Sequence, residues 1–94
     1  MNVSSYKESL SGNEPPQNSS VYLSALWYAA KGEWDKAHKL IQDVEDKNAA
    51  WIHAYLHRKE GDAGNADYWY SRAGKKRSPD SLEKEWEEIV SALI

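Results

Sequence analysis

The chain says one phrase twice, and that repetition limits what it can fold into more than any other feature. Residues 28–41 read Tyr-Ala-Ala-Lys-Gly-Glu-Trp-Asp-Lys-Ala-His-Lys-Leu-Ile, and residues 57–70 read His-Arg-Lys-Glu-Gly-Asp-Ala-Gly-Asn-Ala-Asp-Tyr-Trp-Tyr. In each copy a helical stretch meets a glycine (Gly32, Gly61) and an acid follows at once (Glu33, Asp62). An alanine lies five residues past the glycine (Ala37, Ala66), and a large side chain four further on (Ile41, Tyr70). Glycine takes the left-handed backbone that ends a helix. A small alanine lets the next helix lie close. The phrase therefore reads as a helix–turn–helix unit present in two copies.

Apolar spacing extends this into five helices. The first covers about 20–31, capped by Ser19 or Ser20, with Tyr22, Leu23, Leu26, Trp27 and Ala30 on one face. The second covers about 34–44, with Trp34, Ala37, Leu40, Ile41 and Val44 inward. The third spans about 49–60, with Asn48 as cap, and the fourth about 63–74, with Asp62 as cap. The fifth, about 80–93, has the cleanest stripe: Leu82, Trp86, Ile89, Val90 and Leu93. Asp80 and Glu83 at its start resemble a capping box. No sustained alternation of apolar and polar residues occurs, so no sheet is expected. The expected class is all-α: two helical hairpins and a C-terminal capping helix in a right-handed array.

Residues 1–19 read differently. They are rich in Ser, Asn and Pro, and Pro15-Pro16 cannot lie inside a helix. This segment is expected to be a mostly irregular arm, with one short helical turn around Tyr6 to Leu10, ahead of a single domain over 20–94.

The chain has 94 residues in all, with five Trp, six Tyr and no Phe. Each of those rings carries a polar atom that needs a partner, so the core should be wet at its edges. No cysteine is present, which excludes disulfides and thiolate chemistry. The N-terminus lacks a basic start followed by an apolar run, and no segment approaches membrane-spanning length. A cytoplasmic protein without membrane contact is expected. The net charge of −3 argues against general nucleic-acid affinity. A basic corner (Arg72, Lys75, Lys76, Arg77) stands beside an acidic helix (Glu83, Glu85, Glu87, Glu88), and both read as ordinary surface.

The Gly-centred phrases resemble the tetratricopeptide repeat, a helix–turn–helix unit of about 34 residues. The family's small, aromatic, turn and packing positions fall on Ala25, Tyr28, Gly32, Ala37, Ile41 and Val44, and again on Ala54, His57, Gly61, Ala66, Tyr70 and Ala73, with Pro79 near the family's proline. The departures are specific. The glycines are 29 residues apart, so the joining loop is trimmed. His53 and His57 stand where the family has Leu and an aromatic, and Val44 replaces a small residue. The chain also looks like a group of short bacterial proteins with Trp-Ile-His-Ala-Tyr-Leu-His-Arg and Tyr-Trp-Tyr-x-Arg-Ala-Gly segments. The repeat resemblance implies a non-enzymatic interaction module that grips a protein segment or peptide along the inner helices. Tyr22, Leu26, Trp51, Tyr55, Arg58 and Lys59 would form that groove.

Two alternatives remain open from the residues themselves. His53 and His57 are one turn apart on the third helix, and His38 on the preceding helix offers a third imidazole. The His-Glu-x-x-His pattern of zinc peptidases is absent, because Ala54 occupies the Glu position. Tyr68 and Arg72 are four apart on the next helix and extend this set into a candidate ligand cluster of His53, His57, Tyr68 and Arg72, the centre of a small-molecule- or metal-binding protein or of an enzyme. The second alternative is a homodimer through an uncovered face of the first or fifth helix. Glu60, Asp62, Asn65 and Asp67 do not have calcium-loop spacing, and Gly61-Asp62-Ala63-Gly64 lacks the Lys and Ser/Thr of a phosphate loop. No catalytic residue, cofactor or metal is assigned at this level.

Overall fold

The structure is a computed structural model, and it describes residues 2–94. Six α-helices follow in order: α1 Val3–Glu8, α2 Val21–Ala30, α3 Trp34–Ile41, α4 Lys47–Glu60, α5 Ala63–Ala73 and α6 Leu82–Leu93. A single 3-10 turn, Ser9–Ser11, extends α1. Among the described residues there is no strand, so the chain is all-helical.

The helix ends follow from local chemistry. The Ser20 hydroxyl accepts from the Leu23 amide, and the Asp62 carboxylate from the Asn65 amide, each satisfying a free amide of the first turn. Gly32 and Gly61 take φ of 81° and 89°, the left-handed region that side chains resist. They turn α2 into α3 and α4 into α5, and these two pairs make the most extensive helix contacts in the molecule. Two expected caps are displaced. The cap of α4 is Asp46, which accepts from the Ala49 amide at 2.7 Å, rather than Asn48. The cap of α6 is Ser81, which accepts from the Lys84 amide, rather than Asp80. The α3 helix also stops at Ile41, three residues before Val44, where the acids Asp43, Glu45 and Asp46 oppose the negative end of the helix dipole.

The α4 helix is the axis of the fold. Every residue from Ala49 to His57 is buried, because α2, α3, α5 and α6 all pack on it. A helix enclosed on all sides needs small residues where neighbours approach, and Ala49, Ala50 and Ala54 supply them. The α6 helix lies on α4 and α2 through Trp86, Ile89 and Val90.

The N-terminal segment is more structured than its composition suggests. Tyr6 is fully buried; its hydroxyl donates to the Leu23 carbonyl at 2.5 Å, and its ring lies 5.8 Å from that of Trp86. The Trp27 indole N–H donates to the Ser9 hydroxyl, and the Lys31 ammonium to the Leu10 carbonyl at 2.7 Å. One buried aromatic in α1 and two cross-links from the 3-10 turn thus hold the N-terminal segment against α2 and α6.

Candidate functional site

The six residues expected to form a groove do not share a single one. Leu26 is fully buried, and its carbonyl accepts from the Trp86 indole at 2.8 Å. Trp51 and Tyr55 are buried as well, because the faces expected to be open are covered by α6. Trp51 donates from its indole to Glu85, and the Lys75 ammonium stands 4.0 Å above its ring. Tyr22 is half-buried and donates to Asp46. Of the six, Lys59 alone is exposed. With the edge of Tyr55 it lines a cleft of about 330 Å³ between α1, α4 and α6, bordered also by Lys7, Trp86 and Glu87.

Arg58 points into a buried polar network that the sequence reading missed. Its guanidinium donates to Glu85 at 2.8 Å and to the Asp80 carbonyl. Glu85 is 1% exposed and also accepts from the Tyr70 hydroxyl at 2.6 Å. A carboxylate out of water is tolerated only with such partners. Burial first, then the hydrogen bonds to Glu85, drive the Tyr70 phenol well above its ordinary range. Burial, then the Glu85 charge, pushes Tyr55 up to about 12. The signal was present: Glu85 falls in the apolar stripe of α6, three residues after Leu82 and four before Ile89.

The second candidate set divides in two. His53 and His57, one turn apart on α4, meet His38 from α3. The Nε2 atoms of His38 and His53 are 2.9 Å apart, one donating and the other accepting. The His53 and His57 rings stack at 4.9 Å, and His38 is edge-on to both. One ligating atom from each ring lies within 4.8 Å of the others. Tyr68 and Arg72 pair with each other at 3.1 Å, outside this group. They reach it only through the Trp69 ring, which carries Arg72 on 5.3 Å spacing and stacks on His53 at 3.8 Å.

Two indoles therefore wall the three imidazoles. Trp69 covers His53, while Trp34 stacks on His38 at 4.8 Å and anchors its own N–H on the Leu56 carbonyl at 2.7 Å. His53 and His57 are buried; His38 is the half-buried member. Burial, then the neighbouring imidazoles, pushes His53 down to about 4. His38 is lowered too, by burial and then by His57, against the opposing pull of Glu60 and Asp35. His53 is thus neutral at pH 7, with one lone-pair nitrogen. His57 has a different outer partner: its Nδ1 lies 2.6 Å from Glu60. The sequence showed the three histidines as a set; it did not show the Trp34 and Trp69 walls or the Glu60 contact.

No protein-family model, curated protein or solved structure matches the chain. No helix among the described residues is long and apolar enough to cross a membrane.

Proposed function

We propose that this chain is a small, non-enzymatic binding domain whose ligand seat is the His38–His53–His57 cluster. The observation that supports the reading is the convergence of three imidazole nitrogens within 4.8 Å at a half-buried position between two indoles. Imidazole nitrogens gathered beside two indoles are suited to hold a small ligand or ion. Grip on a protein segment is the weaker reading, because Leu26, Trp51 and Tyr55 are committed to the core.

The test compares wild type, His53→Ala and the milder His38→Ala. Thermal midpoint and tryptophan fluorescence are recorded against zinc chloride, inorganic phosphate and benzoate. Saturable binding at one hundred times Kd adds about 2.7 kcal/mol to stability, a clear rise in midpoint. The expected result is such a rise with one probe, lost in both folded variants. No response to any probe, or an equal response in the variants, overturns the reading.

A further inference from the structure

Resting on that seat, we propose that its ligand is a single divalent transition-metal ion of the zinc type, held by His38, His53 and His57, with Glu60 orienting His57 from behind.

The donor set selects the class of ion. Three imidazoles without thiolate suit zinc, copper(II), nickel and cobalt, whereas calcium and magnesium require oxygen. The helical register supplies the geometry. Two ligands come from one face of α4 and the third from α3 across the hairpin junction, so the rings form a three-sided cup. Zinc–nitrogen bonds of about 2.0–2.1 Å in a tetrahedral array put ligand nitrogens about 3.3 Å apart. The pair at 2.9 Å must open slightly, while the His57 nitrogen already lies within 4.8 Å of both. The fourth position falls to water.

The surroundings agree with the same ion. A ligating imidazole characteristically gives its other ring N–H to a carboxylate, which fixes the tautomer and strengthens the donor. Glu60 stands in that relation to Nδ1 of His57, leaving Nε2 with the free lone pair. The Glu60 charge, with Asp62 close beside His57, offsets part of the ion's charge. The two indoles limit water around it.

Proton bookkeeping is simple. In the hydrogen-bonded pair, one of His38 and His53 carries the bridging proton on Nε2. Ligation by Nε2 moves that proton to Nδ1 of the same ring.

The test is calorimetric titration of zinc into the full chain at pH 7.5, with cobalt absorption as the geometric probe, on wild type, His38→Ala, His57→Ala and Glu60→Gln. Circular dichroism confirms that each variant is folded. The expected result is one equivalent of zinc, the intense visible bands of tetrahedral cobalt, loss of both in the histidine variants, and affinity weakened 10- to 100-fold in Glu60→Gln. Undiminished binding in His38→Ala, with loss in Glu60→Gln, would place the ion on His57, Glu60 and Asp62 and overturn the assignment. Unchanged affinity in Glu60→Gln, with loss in both histidine variants, overturns the role of Glu60 alone. If phosphate or benzoate binds in a His53-dependent way and zinc does not, the metal assignment falls and the seat stands. If nothing binds, both fall.

Discussion

The Nε2 atoms of His38 and His53 stand 2.9 Å apart, one on α3 and the other on α4. That contact ties the second helix of the first hairpin to the first helix of the second, at the point where Trp34 and Trp69 close over the rings. The candidate seat is therefore also a joint of the fold. A ligand there would clamp the two hairpins together.

Glu85 is the polar keystone on the opposite side of α4. Glu85→Ala leaves Arg58 and Tyr70 without their shared acceptor, and breaking a buried pair from one side costs about 3–5 kcal/mol. That is a large part of the stability of a domain this size. Glu85→Gln keeps an acceptor and should cost less. Urea unfolding followed by circular dichroism checks both; a Glu85→Ala midpoint equal to wild type would contradict the network's role.

Alkaline stability should follow the buried phenols. Tyr6, Tyr55 and Tyr70 are all held above the ordinary tyrosine value, chiefly by burial, with Tyr55 at about 12. A raised value means that the folded chain keeps its phenol protons longer than the unfolded chain does. The associated stability is fully present below about pH 10 and is lost as pH rises through the folded values. Absorbance at 295 nm should show a late phase that coincides with loss of helix. Titration of all six tyrosines in one step near pH 10, with helix intact, would contradict the burial.

Tyr6 should anchor the N-terminal segment to the domain. Tyr6→Ala removes a fully buried ring and should cost about 3 kcal/mol, comparable to other aromatic truncations in cores. Tyr6→Phe loses only the hydrogen bond to Leu23, about 1 kcal/mol. Protease cleavage between Gly12 and Ser20 should accelerate in Tyr6→Ala and stay slow in Tyr6→Phe. Equal rates in Tyr6→Ala and wild type would show that α1 does not depend on that ring.

The parts of the fold written in local chemistry were legible in the residues. Gly32 and Gly61 turn the chain because left-handed backbone favours glycine, and Ser20 and Asp62 cap because their oxygens reach the next amides. The α6 stripe announced its buried face. What could not be read was coverage. Periodicity says which residues share a face, not which neighbour lies on it, so Trp51 and Tyr55 looked like groove walls until α6 was seen over them. Composition hid Tyr6, a single anchor inside a Ser- and Asn-rich stretch. The histidines were visible as a set because their spacing is local on α4; the closeness of His38 and the two indole walls depend on how α3 and α5 cross it.

The most direct measurement is a crystal of the full chain grown with zinc, with anomalous differences collected at the zinc edge. The expected result is one strong peak about 2.0–2.1 Å from a nitrogen of each of His38, His53 and His57. No peak between α3 and α4, or a peak held by Glu60 and Asp62 without His38 and His53, would contradict it.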